Sequence, residues 1–146
     1  MGKLHMQIFE IKEYSIDILN ALNKLLPQLS ESAKPLSKNR LKSIIDSESS
    51  FLFVAEDKMK ICGMLTLVIV KIPTSTKAVI EDVVVDKESL GKGVGKKLTL
   101  HAIDFAKENG VSTVNLTSSP WRTAANSLYK KLGFEKRDTN VYKLDI

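Results

Sequence analysis

Cysteine is nearly absent from this chain: Cys62 stands alone, so no intrachain disulfide can form and a reducing compartment is the default. Histidine is scarce too. His5 and His101 lie far apart, and with a single thiol beside them no metal site is expected. Long apolar runs are missing; the longest, Met64–Val70, falls far short of the ~20 residues a bilayer span needs. No apolar leader opens the chain, so no secretory signal is expected; Met1–His5 reads as a tail and Met6 as a second candidate start. Repeats, low-complexity tracts and interdomain linkers are also lacking. Together these absences point to a cytoplasmic protein with no membrane partner.

Neither sign of charge holds a region of its own. The net charge of +5 comes from 22 basic and 17 acidic residues mixed along the chain, which selects no particular anionic partner. A nucleic-acid module is not expected, since aromatic residues make up only 6 % and no groove-reading pattern is present. What remains is globular: 43 % hydrophobic and 27 % charged over 146 residues, enough for one domain spanning residues 1–146. A chain of this size hides roughly 68–70 % of its unfolded surface, so its core needs no staples.

Periodicity supplies the elements. Met6–Ile11 reads as a strand, followed by helices at Ser15–Leu26 and Leu36–Ile45, with Pro27 and Pro35 bounding the turn between them. Phe51–Ala55, Ile61–Ile72 and Ala78–Val85 read as strands, the last ending in three valines suited to burial on both faces. A helix runs from Val94 to Asn109, striped by Val94, Leu98, Ala102, Phe105 and Ala106 and stopped by Gly110. Val111–Thr117 reads as a strand, Thr123–Leu132 as a helix, and Phe134–Arg137 and Asn140–Leu144 as two closing strands. This order predicts an α/β (α+β) fold: a mixed, mainly antiparallel sheet with one parallel step and helices on both faces.

The most informative stretch joins the triple-valine strand to the long helix: Leu90-Gly91-Lys92-Gly93-Val94-Gly95-Lys96-Lys97. Glycines let main-chain N–H groups approach a ligand, and a helix start favours anions through its unpaired amides and dipole. Lys92, Lys96 and Lys97 add positive charge, so the stretch reads as a pyrophosphate cradle. A nucleotide P-loop would need glycine where Leu90 stands and Ser or Thr where Lys97 stands. A dinucleotide fingerprint beginning at Gly91 would need glycine where Lys96 stands. Neither pattern is met.

These residues resemble the GNAT superfamily of acetyl-CoA-dependent N-acetyltransferases, whose main signature is Arg or Gln, two residues, Gly, one residue, then Gly or Ala. The glycines match; Leu90 replaces the usual Arg or Gln. A second stretch is similar to that family's late helix, Asn126-Ser127-Leu128-Tyr129-Lys130-Lys131-Leu132-Gly133-Phe134, and the element order agrees from Met6 onward. The resemblance implies six to seven strands and about four helices, with the sheet splayed at the cofactor strand. It implies acetyl-CoA as cosubstrate, with pantetheine along Val83, Val84 and Val85 and the diphosphate at Leu90–Lys96. Asn126 would bind pantetheine, a main-chain N–H near Val84 would hold the developing oxyanion, and Tyr129 would face the coenzyme sulfur. A thiol near pKa ~8.5 and a phenol near ~10 make full proton transfer uphill by about 2 kcal/mol, so a hydrogen bond whose proton follows the growing charge suits Tyr129 better.

Glu81 resembles a position where some relatives carry a carboxylate, and is the candidate base; an exposed strand charge is the plain alternative. Asp82 should point to the opposite face if strand alternation holds. Arg122 stands where many relatives carry Asn and would reach substrate, phosphate or solvent. His101 reads as a packing residue and Cys62 as a small buried hydrophobe. The expected activity is acetyl transfer to a primary amine of a small molecule or peptide by direct attack in a ternary complex; the alternative is a non-catalytic acyl-CoA-binding or sensing domain. The acceptor should meet the loop Leu26–Leu36 and the turn around Pro73–Lys77. A homodimer is compatible with the resemblance, though no residue demands one.

Overall fold

Capping serines and β-branched runs divide the chain into a sheet with helices on each face. The computed structural model describes residues 6–146; the expected tail Met1–His5 lies outside the described residues. Five strands, β1 (Met6–Glu10), β2 (Ser50–Asp57), β3 (Lys60–Ile72), β4 (Ser75–Val85) and β5 (Thr113–Asn115), pair in sequence order. The first four are antiparallel, and β4–β5 is the single parallel step. Helices α1 (Ile16–Leu29) and α2 (Lys38–Ile45) cover one face; α3 (Val94–Glu108) covers the other, and α4 (Thr123–Lys131) follows β5.

Each helix begins and ends for a local reason. Ser15 Oγ accepts the Ile18 N–H at 3.1 Å, and Ser37 Oγ accepts the Arg40 N–H at 3.1 Å, each satisfying an amide that the helix leaves free. Asn23 ties the intervening loop to α1 by two bonds with Leu36, donating to its carbonyl at 3.0 Å and accepting its N–H at 2.7 Å. Leu22, Leu25 and Leu41 from these helices bury against Leu52, Val54, Met64 and Val84 of the sheet. On the opposite face Val94, Leu98, Ala102 and Ala106 pack on Phe53, Leu65, Leu67, Ala78 and Ile80. Gly63 lets α3 sit this close, because a Cβ there would lie 2.9 Å from Val94 Cγ1 and 3.0 Å from Leu98 Cδ1. His101 packs edge-on to Phe53, ring centroids 4.9 Å apart, as a packing residue should.

Four expectations need correction. The closing strands Phe134–Arg137 and Asn140–Leu144 do not form: the described residues hold five strands rather than six to seven. Strand propensity without a paired neighbour leaves main-chain groups to water, and residues 135–146 stay exposed. The strand at Val111–Thr117 contracts to Thr113–Asn115, since only Lys77, Ala78 and Val79 of β4 pair with it. Pro27 does not end α1, which continues to Leu29. A proline so near the end costs one bond, the N–H it cannot donate to Asn23. Finally, alternation fails at Asp82. Met64 pairs with Val84 and Thr66 with Glu81, so Asp82 and Val83 together face Leu65 across a β-bulge. Asp82 sits there at φ +51, a left-handed conformation that Asp tolerates better than most residues.

Candidate active site

Beyond Val79, β4 and β5 part company: β4 runs on to Val85 while pairing with β5 stops. The main-chain groups of β4 that face the gap therefore have no strand partner on that side. The bulge then resets which side chains point where. Val83 and Val85 join Ala78 and Ile80 on the α3 face, and only Val84 buries beneath α1 and α2. Into this gap opens a cavity of about 1240 Å³, walled by β4 from Ile80 to Val85 and, opposite, by Leu116–Ser119 and α4.

One end of the cavity is the glycine loop. Leu90, Gly91, Gly93, Val94, Gly95 and Lys96 all line it. Gly93 is the residue before α3, at φ +80, and offers the helix no side-chain acceptor. The N–H groups of Val94, Gly95 and Lys96 consequently point out of the helix start without a partner among the described residues, the arrangement that suits an anion. A Cβ at Gly93 would meet nothing, so the glycine is required for its backbone angle and the space above it is open. Buried Thr99 closes the wall behind, its hydroxyl donating to the Gly95 carbonyl at 2.7 Å.

The opposite wall presents Tyr129. Gly133 adopts φ +97 just past α4, so the Phe134 N–H reaches back to the Tyr129 carbonyl at 3.0 Å and the Gly133 N–H to that of Lys130 at 3.1 Å. This helix-ending motif folds the Phe134 ring edge-on to Tyr129, centroids 5.7 Å apart. The Leu-Gly-Phe sequence thus fixes the tyrosine. Tyr129 is 9 % exposed, and burial raises its pKa above the ordinary phenol value, opposed by the positive charge of Arg122. Its hydroxyl keeps its proton at neutral pH.

The lining also includes Glu81, Asp82, Trp121 and Arg122. Here the extension of α1 past Pro27 matters. Arg122 Nη2 donates to the Leu29 carbonyl at 3.2 Å, and Gln28 Oε1 accepts the Lys87 N–H at 2.9 Å, in the turn that follows β4. The end of α1 is therefore fastened to both walls of the cavity. Gln28 escaped sequence reasoning because its partner lies 59 residues away.

The structure brings Tyr129 and Glu81 to the same cavity as Val83–Val85 and most of the glycine loop. Lys92 and Asn126 are not part of its lining. The Asn126 amide instead donates to the carbonyls of Ser119 at 2.9 Å and Arg122 at 2.8 Å, holding the loop before α4. Nor does the turn at Pro73–Lys77 reach the cavity. Cys62 is buried, its thiol donating to the Ala55 carbonyl at 3.6 Å, and desolvation pushes its pKa up.

The model of the acetyltransferase (GNAT) family matches residues 17–134, a span holding both the glycine cradle and the pinned tyrosine. The chain belongs to this family. Among curated relatives, mycothiol acetyltransferase of Renibacterium salmoninarum is 34 % identical over 107 residues, 69 % of this chain and 32 % of that protein. The chain spans less than half the length of the curated relatives it matches. Among solved structures, a Trypanosoma brucei acetyltransferase is 28 % identical, with a TM-score of 0.79 over 97 % of this chain and 99 % of that one. A protein described as a transcriptional regulator from Bacillus halodurans is also 28 % identical, with a TM-score of 0.81 over 97 % and 100 %. No helix among the described residues is long and apolar enough to cross a membrane.

Proposed function

We propose that this GNAT-family chain transfers the acetyl group of acetyl-CoA to a primary amine of a small molecule or peptide, by direct attack within a ternary complex. The observation that carries the reading is one cavity joining three parts: an uncapped helix start, an unpaired strand edge and a buried protonated tyrosine. The amides of Val94, Gly95 and Lys96 hold the diphosphate, aided by the Lys96 charge. The unpaired edge of β4 takes the pantetheine arm as an added strand. Acetyl-CoA supplies an activated acetyl thioester; the chain's own residues orient it and manage protons. A β4 amide near Val84 stabilises the carbonyl oxygen as charge builds. The N–C bond forms, the C–S bond breaks, and the Tyr129 hydroxyl donates toward the leaving sulfur.

The amine must arrive unprotonated. A lysine-like amine with pKa ~10.4 gives up about 4.6 kcal/mol to reach that form at pH 7, an α-amino group with pKa near ~7.8 far less. Glu81, exposed and part of the cavity lining, is the proposed base, directly or through water. Thermal melts with acetyl-CoA and thiol release over a panel of polyamines, amino acids, aminoglycosides and peptide N-termini test the reading. Acetyl-CoA should raise the Tm, and thiol should appear only with the right amine. An unmoved Tm at large excess would defeat the proposal. Binding without thiol release over the whole panel would favour the acyl-CoA-binding alternative.

A further inference from the structure

Arg122 lines the cavity without a counter-ion. The ion pairs among the described residues are made by Lys60 and Lys143, and no carboxylate of those residues stands within pairing distance of the Arg122 guanidinium. What the guanidinium does hold is the Leu29 carbonyl, which Nη2 meets at 3.2 Å. Leu29 is the last residue of α1, where a helix leaves its carbonyls without intrahelical donors. That bond anchors the planar group at one corner, and its remaining N–H donors find no acceptor among the described residues. An anchored fork with donors to spare fits a carboxylate, which it grips through two parallel bonds.

The surroundings supply the opposite charge. Glu81 follows Ile80, whose side chain faces α3, so alternation turns the Glu81 carboxylate to the face covered by α1 and α2. That is the side on which Arg122 meets the end of α1. The charge of Arg122 is also felt at Tyr129, whose pKa it lowers against the effect of burial, so the guanidinium stands within electrostatic reach of the tyrosine. The proposed diphosphate cradle already has the α3 amides and Lys96, which leaves Arg122 for a second anion. On its α1 side the cavity therefore offers a carboxylate toward an amine and a guanidinium toward a carboxylate.

We propose that the acceptor is a free amino acid, its carboxylate held by Arg122 and its amine turned toward Glu81. This rests on the acetyl-transfer reading and narrows it. Polyamines and aminoglycosides carry no anion for Arg122 and would bring further ammonium groups against it, so the same residue that selects an amino acid rejects them.

The test takes amino acids with acidic, basic, apolar and aromatic side chains and compares each with its carboxamide and its decarboxylated amine. Binding is measured by calorimetry on the whole chain, with and without coenzyme A, and turnover by thiol release from acetyl-CoA. Removing the nearby negative charge makes the amide's amine less basic, so proton inventory alone favours the amide and a preference for the acid reads the carboxylate. The best amino acid should surpass its own amide and amine about 10- to 100-fold in Kd and in kcat/KM. Arg122→Gln should shrink that ratio to within about threefold, and Arg122→Lys, a charge without the fork, should keep part of it. Equal affinity for acid, amide and amine in the native chain would overturn the proposal. So would Arg122 variants that weaken all three alike, because a purely structural role leaves the ratio where it was. An unmoved ratio with a higher Kd for acetyl-CoA would assign Arg122 to the coenzyme and overturn it too. Amino-acid binding that depends on Arg122 but releases no thiol would keep the carboxylate site and defeat the acetyl-transfer reading; acetylation of amines regardless of a carboxylate would do the reverse.

Discussion

Replacing Gly63 with alanine probes how the seat of α3 sets the proposed coenzyme cradle. The added Cβ would lie 2.9 Å from Val94 Cγ1, 3.0 Å from Leu98 Cδ1 and 3.1 Å from the Val84 carbonyl oxygen. Carbon–carbon contacts are optimal at ~3.5–4.0 Å, so the methyl intrudes by about half an ångström or more on two side chains. Those side chains are 1 % and 0 % exposed and have no free side to retreat to, and the third neighbour is main chain. Overpacking of this kind costs about 1–3 kcal/mol. Loss of glycine's unfolded-state entropy returns ~0.5–1 kcal/mol, leaving a net destabilisation of roughly 1–2 kcal/mol. At about 2–4 °C per kcal/mol the Tm should fall by roughly 2–8 °C. The strain is relieved most readily by lifting the first turn of α3, where Val94, Gly95 and Lys96 present their amides. The Kd for acetyl-CoA, by calorimetry, should therefore rise about 3- to 10-fold. An unchanged or higher Tm would refute the packing argument; a lower Tm with unchanged Kd would refute the link from Gly63 to the cradle.

Tyr129→Phe should lower kcat about 100-fold or more while leaving the calorimetric Kd for acetyl-CoA within a factor of two; equal turnover would remove the proton-donor role. Burial raises the pKa of both Cys62 and Tyr129, so each keeps its proton in the fold at pH values where the unfolded chain has lost it. Their contribution to stability is fully present below the ordinary values of ~9 and ~10 and fades as pH rises through the folded ones, so denaturant midpoints should decline above about pH 9. Buried Cys62 should resist a thiol reagent in the native chain and react at once in guanidinium; fast native labelling would contradict its packing. Gly93→Ala, which forces φ +80 on a residue with a Cβ, should cost roughly 1–2 kcal/mol and weaken acetyl-CoA binding more than Gly63→Ala does, by calorimetry.

What the sequence revealed was what short stretches decide by themselves. The valines of β4, the apolar stripe of α3 and the Leu-Gly-Phe ending of α4 each declare their structure within a few residues; the valines and Val94 line the cavity, and the ending holds Tyr129 in its wall. What stayed hidden depends on partners remote in the chain. The bulge at Asp82 exists because β3 and β4 differ by one residue between two fixed pairs, which no inspection of β4 alone detects. Gln28 and Leu29 looked like a turn beyond Pro27, because tertiary contacts that carry a helix past a proline are not local. Helical spacing places Asn126 on the same side as Tyr129, whereas two carbonyls in the preceding loop claim its amide. The closing strands do not form, because strand propensity at Phe134–Arg137 and Asn140–Leu144 finds no paired neighbour among the described residues.

The parting of β4 from β5 has one further consequence. Strands that separate at one end and stay bonded at the other make a wedge, and this wedge comes to its point where Val79 meets Asn115. From Val85 back to that point is about 20 Å at ~3.3 Å per residue. Whatever slides inward along β4 must stop there or prise apart a hydrogen-bonded pair. The point of the wedge thus sets the inner limit of the gap for anything that enters along β4.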